Sequence, residues 1–136
     1  MGQWTGGCAC GAIRYACEGG PTLMFNCHCR DCQRASGSAY AAITIFPKTA
    51  VAVTGEPRWF AVAGGSGQRI ERGFCAACGS PVGVTLEKMP QILGLPAASL
   101  DDPALFKPAM DLFTASAHPW DAMDPERPKK PRGMRD

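Results

Sequence analysis

Eight cysteines in 136 residues constrain this chain more than any other feature, because most of them come in spaced sets. Cys8 and Cys10 stand two apart, Cys75 and Cys78 three apart, and Cys27, Cys29 and Cys32 fall within six positions, while Cys17 stands alone. A chain of this length forms one domain and buries roughly two thirds of its unfolded surface. So much sulfur beside a core of that size points to stapling by disulfides or by metal. The compartment decides between them. The opening "MGQWTGGCAC" lacks a basic stretch followed by an apolar one, and Gly6 breaks the N-myristoylation pattern. No uninterrupted apolar run approaches the roughly 18 residues of a membrane helix. The expectation is a soluble cytoplasmic protein with no membrane partner, where thiols stay reduced and clustered cysteines hold metal.

Spacing sorts the sulfurs into two sites. In extended chain, residues i and i+2 share a face, so "CAC" points two sulfurs one way. "CHC" at 27–29 does the same and sends His28 to the opposite side. "CAACG" at 75–79 is a knuckle whose cysteines can grip one ion while Gly79 permits the tight turn, and "CACG" has the same trailing glycine in Gly11. Cys8, Cys10, Cys75 and Cys78 thus supply the four thiolates of a closed, structural zinc site. Unligated core thiols would need neither the paired spacing nor the glycines. Cys27, Cys29 and Cys32 offer three sulfurs, and zinc on three protein ligands keeps a position open for chemistry. Two alternatives stand beside this reading. Cys17 could close the second site as a fourth ligand, or Cys29 and Cys32, in "CRDC", could be a redox pair.

Short runs of Val, Ile, Thr and aromatic residues, broken by Gly, Pro or acidic turns, predict strands. They fall at 12–17, 23–26, 39–46, 51–54, 58–63, 69–74, 82–86, 92–95 and 110–114. "AGGSG" at 63–67 reads as a hairpin tip. Helix is scarce: "RDCQRAS" predicts one turn and "SLDDPALF" another, the latter capped by Asp101 or Asp102 with Pro103 at its first position. The predicted class is mainly β, built of small antiparallel sheets, with one domain over residues 1–123. Residues 124–136 carry five basic and three acidic side chains, which accounts for the whole chain's net charge of +2 and leaves the body neutral. That is a poor footprint for nucleic acid, and the basic, Pro-rich tail is expected to be solvated and disordered.

The ordered segments "GGCACGAIRY", "CHCRDCQRASGSAYAA", "GEPRWF", "RGFCAACGSPV", "SLDDPALFKP" and "HPW" resemble the glutathione-dependent formaldehyde-activating enzyme family, which also includes centromere protein V. The likeness runs from about Gly6 to Trp120. It implies a zinc-stapled β-tent with two zinc ions per chain: a structural one on Cys8, Cys10, Cys75 and Cys78, and a catalytic one on Cys27, Cys29 and Cys32. It also implies a carbon–sulfur lyase or condensing activity on the adduct of glutathione, or another small thiol, with formaldehyde or another aldehyde. Met110 stands where family members commonly carry a histidine.

Three thiolates leave a zinc unit at net −1, a weak activator of water but a suitable seat for a fourth sulfur. A small thiol bound there as thiolate is placed to add to a carbonyl. Arg30 and Arg34 flank the cluster as candidate partners for the glutathione carboxylates. Ser36 and Ser38 could donate to a developing alkoxide. Asp31 and His118 are the acid–base candidates, and Trp120 reads as a core or lid aromatic. A rival from another class is a zinc-stapled binding module without catalysis.

Overall fold

The computed structural model describes residues 3–65 and 67–134. Its architecture is mainly β. A three-stranded sheet is formed by β1 (Thr5–Gly7), β2 (Arg14–Cys17) and β5 (Val51–Thr54), all antiparallel. The larger sheet begins with β3 (Leu23–Cys27), which leads into a single α-helix, α1 (Arg30–Ser36), and returns through β4 (Ala41–Pro47). It continues with the meander β6 (Arg58–Ala63), β7 (Arg69–Phe74), β8 (Pro81–Leu86) and β9 (Met89–Pro96), and is completed by the short β10 (Asp111–Leu112) and β11 (Lys129–Lys130). Its strand order is β11-β10-β3-β4-β9-β8-β7-β6, antiparallel except where β10 runs parallel to both β3 and β11.

Strand β4 shows how alternation builds this molecule. Phe46, wholly buried, faces one way and joins Tyr15, Leu93, Leu95 and Leu100 in the main core. Ala41, Ile43 and Ile45 face the other way and pack with Cys27 and Cys32. A period of two therefore sends one strand's side chains to two separate cores. Thr44 is buried as well, its hydroxyl satisfied by donating to the Leu95 carbonyl at 2.9 Å. A third small cluster consists of Cys8, Ile13, Cys75 and Val82.

Each predicted strand segment overlaps a real one: 51–54, 58–63 and 69–74 match end to end, whereas 39–46 starts at Ala41, 92–95 extends to Met89–Pro96, and 110–114 shrinks to two residues. "RDCQRAS" is α1, ended by Gly37 in the left-handed conformation. The turn in "SLDDPALF" is a 3-10 turn at Pro103–Leu105, and it is Asp102 whose carboxylate accepts from Ala104 N–H. The region of the hairpin tip at 63–67 joins β6 to β7, with Ser66 outside the described residues.

The expectation of a solvated tail needs correcting for residues 124–134. Lys129–Lys130 pairs with β10, and Arg127 and Lys129 lie 3.2 and 3.5 Å from the Asp111 carboxylate, which is fully buried. A buried carboxylate demands counter-charge, and the basic tail supplies it. Residues 135 and 136 lie outside the described residues. Among the described residues, no helix is long and apolar enough to cross a membrane.

Candidate metal centres

The two knuckles are built alike. Gly11 and Gly79 both have φ near 79°, the left-handed conformation that their place after the second cysteine requires. Gly79 N–H donates to the Cys75 carbonyl at 2.7 Å, and Gly11 N–H to that of Cys8 at 3.2 Å. The Ser80 hydroxyl then joins the knuckles by accepting from Ala9 N–H at 3.0 Å. Hydrogen bonding, first of all from the Ser80 hydroxyl, pulls the Cys78 thiol down to about 5.

The sulfurs of Cys8, Cys10, Cys75 and Cys78 all lie within 4.8 Å of one another. Cys8 to Cys10 measures 3.6 Å and Cys10 to Cys75 3.7 Å. Tetrahedral zinc with bonds of about 2.3 Å spaces its sulfurs by about 3.8 Å, so the quartet has the dimensions of that ion.

The second cluster forms where β3 gives way to α1. Cys27 closes β3, Cys29 is the N-cap of α1, and Cys32 lies in its first turn. Their sulfurs are also mutually within 4.8 Å, and no His, Asp, Glu or further Cys among the described residues completes the set. Cys29 Sγ accepts the Cys32 N–H at 3.3 Å. Hydrogen bonds from Cys27 and then Cys32 drive the Cys29 thiol far below the ordinary thiol range, while the same contacts push Cys27 up.

Sequence reasoning missed Arg72. From β7 its Nη2 reaches 3.6 Å from Cys32 Sγ, setting a guanidinium beside three sulfurs that carry negative charge when they ligate. Cys17 joins neither cluster. It pairs with Val51 in the small sheet, packs on the main core, and burial pushes its thiol up to about 11. Cys29 and Cys32 do straddle a helix N-terminus as redox pairs do, but Cys27 makes the group a three-sulfur set.

His28 points away from the trio, as alternation requires, and is wholly buried. Arg30 and Arg34 both line a cavity of about 380 Å³ together with Gln33, Ser38, His118 and Trp120. The trio cysteines occupy a different face of α1 from this cavity. Gln33, also missed, organises it. Its Nε2 donates to the His28 and Ser116 carbonyls at 2.7 and 3.1 Å, and its Oε1 accepts from Arg30 and, at 2.6 Å, from His118 Nε2. His118 stacks on Trp120 with ring centres 4.6 Å apart and planes at 8°. Trp120 is 69% exposed, so it is a wall of the cavity and not a core residue. Asp31 is half-buried and does not line the cavity. The Ser36 hydroxyl is committed to the Tyr40 carbonyl at 2.9 Å, which leaves Ser38 as the serine facing the cavity.

A mainly β scaffold carrying one four-sulfur and one three-sulfur cluster defines a protein whose thiols could hold two metal ions. The family model described as glutathione-dependent formaldehyde-activating enzyme matches residues 3–116, and the chain belongs to that family. A solved crystal structure of a Rhodobacter sphaeroides protein is similar in fold, with 23% identity and a TM-score of 0.56 over 71% of this chain and 87% of the other. No curated protein sequence matches the chain.

Proposed function

We propose that the chain condenses a small thiol of the glutathione class with formaldehyde or a similar aldehyde, or runs the reverse cleavage, as a carbon–sulfur lyase. The supporting observation is a three-sulfur cluster with no fourth side-chain ligand among the described residues. Zinc held by Cys27, Cys29 and Cys32 would supply the positive charge that keeps an incoming thiol ionised. The remaining work belongs to the chain's own residues. Arg72 offsets the net negative charge that three thiolates and one divalent ion leave behind. Arg30 and Arg34 offer charge-assisted contacts to the two carboxylates of glutathione. His118, fixed by Gln33 and Trp120, stands beside those arginines and can help hold the carboxylate end of the same thiol. In the reaction a sulfur–carbon bond forms, the thiol gives up its proton, and the carbonyl oxygen gains one. A cytoplasmic setting, reducing and rich in glutathione, suits all three steps.

The test uses protein that carries its zinc. Calorimetric titration should show saturable glutathione binding, and exchange spectroscopy of the hydroxymethyl thioether should show turnover above the uncatalysed rate. Cys29→Ser should abolish both, while Arg30→Ala with Arg34→Ala should weaken binding about tenfold or more. Two zinc ions per chain with no glutathione binding would leave the non-catalytic binding module in its place.

A further inference from the structure

The alternation that aims Cys27 and Cys29 at one site aims Asn26 and His28 at another. Behind the trio lies a second cavity of about 270 Å³, lined by Asn26, His28, Asp111, Asp121, Asp124 and Arg127 among others. Its back wall is thoroughly desolvated: Asn26 is 4% exposed, and His28 and Asp111 are at 0%. Asp111 is answered by Arg127 and Lys129. The other buried acceptors are not.

His28 Nδ1 lies 3.3 Å from the Leu112 carbonyl, which can only accept, so this nitrogen carries the hydrogen. With Nδ1 so engaged, Nε2 is the ring nitrogen left to face the cavity. That atom is 3.0 Å from Asp121 Oδ2, yet neither has an aligned hydrogen bond, and Asn26 Oδ1 has no partner either. Three buried polar atoms at one cavity thus lack an aligned partner, an arrangement that native structures avoid unless something else fills it.

We infer that His28 Nε2, Asp121 Oδ2 and Asn26 Oδ1 form a third cation site, separate from both sulfur clusters, for a partly hydrated divalent metal of octahedral preference. The spacing supports this. With metal–ligand bonds of about 2.1 Å, two donors 3.0 Å apart subtend about 90°, the octahedral angle, whereas tetrahedral coordination would set them about 3.4 Å apart. One imidazole with two oxygens suits Mn²⁺ or Fe²⁺ better than a thiol-seeking ion. The cavity leaves room for the waters that complete the shell. Charge agrees, since Asp111, Asp121 and Asp124 outnumber Arg127 and Lys129. A cation here fastens the segment around Asp121 to the back of the strand that ends in the trio.

The test titrates full-length, zinc-carrying protein with Mn²⁺ alone and follows the spin-resonance signal of the aqueous ion. Mn²⁺ is chosen because it stands lowest in the divalent affinity order and leaves zinc on its thiolates. Expected are one Mn²⁺ taken up per chain with the zinc count unchanged, and a melting temperature that rises with Mn²⁺ concentration. Asp121→Asn, which keeps the shape and removes the charge, should weaken uptake at least about tenfold. Asn26→Asp should tighten it, and decides the matter if the first variant fails to fold. Uptake should persist in Cys29→Ser, so failure here and failure of the thiol reading are distinguishable. No saturable uptake at millimolar Mn²⁺, or equal uptake by wild type and both cavity variants, would overturn the site and leave an imidazolium–carboxylate pair or a water pocket.

Discussion

Arg72 on β7 and Cys32 on α1 meet at 3.6 Å, although 40 residues separate them in the chain. Through this side chain the strand that leads into Cys75 also reaches the three-sulfur cluster, so the two sulfur clusters share a neighbour. Arg72→Gln should make alkylation of Cys32 in the metal-free trio about tenfold slower at neutral pH, because the guanidinium lies against that sulfur and favours its thiolate. Rates measured by mass spectrometry against pH check this; an unchanged profile means the arginine is a bystander.

Cys17 should behave as an ordinary core thiol. In zinc-carrying protein it is the one cysteine outside both clusters, and its raised thiol, near 11, predicts slow labelling by maleimide below about pH 9. Cys17→Ala should leave the zinc count intact and cost about 1 kcal/mol or less. Loss of a zinc ion would make Cys17 a ligand after all.

The glycines separate backbone strain from steric overlap. A Cβ on Gly79 would meet nothing within 4 Å, so Gly79→Ala tests only the positive φ and should cost about 1–2 kcal/mol. A Cβ on Gly6 would sit 2.2 Å from the Ser99 carbonyl oxygen and 2.4 Å from Tyr15 Oη. Gly6→Ala should therefore cost about 3 kcal/mol or more. Denaturant midpoints of the two variants give the comparison.

The Arg14 guanidinium, and after it the Thr5 hydroxyl, hold the Asp101 carboxyl down to about 2. A carboxyl whose folded pKa is depressed stabilises the native state above its unfolded value, and that contribution is lost as pH falls through the folded one. The difference in melting temperature between wild type and Asp101→Asn should thus be constant above about pH 5 and close between roughly pH 4 and 2. Taking the difference cancels acid release of metal. The effect should be small, because both partners are close to half exposed.

The tail gives a larger effect. Arg127→Ala strips the nearest cation from a carboxylate with no solvent exposure and should cost about 2–3 kcal/mol, with Lys129 limiting the loss. Removing residues 124–136 should cost more. Urea unfolding of both proteins measures it, and wild-type stability in the truncated chain would restore the view of this segment as a loose end.

The division of sulfur was legible in the sequence because chelation depends on local spacing: "CAC", "CAACG" and "CHCRDC" each bring their thiols together within a turn or a strand. His28 was placed on the far face by the same alternation. Arg72 was not legible, since nothing in "ERGF" reveals which element will lie across the strand. Strand β1 escaped because Gly6 and Gly7 look like a loop; they are glycines because Tyr15 and the Ser99 and Ile13 carbonyls leave no room for a Cβ. The tail did carry a signal. A lone Asp111 amid apolar neighbours in "AMDLF" needed a cation, and the surplus of basic residues lay in the last thirteen positions.

The Cys10 and Cys75 sulfurs are brought to 3.7 Å across 65 residues of chain, whereas the trio spans only six positions. An unfolded chain can still wrap the short set around an ion, but it must surrender the entropy of a long loop to gather the other. Metal at the local set therefore stabilises folded and unfolded chains alike, in part cancelling its own effect, whereas metal at the distant set rewards the native state alone. Under zinc scarcity the ion most needed for folding is the one the unfolded polypeptide is least able to capture.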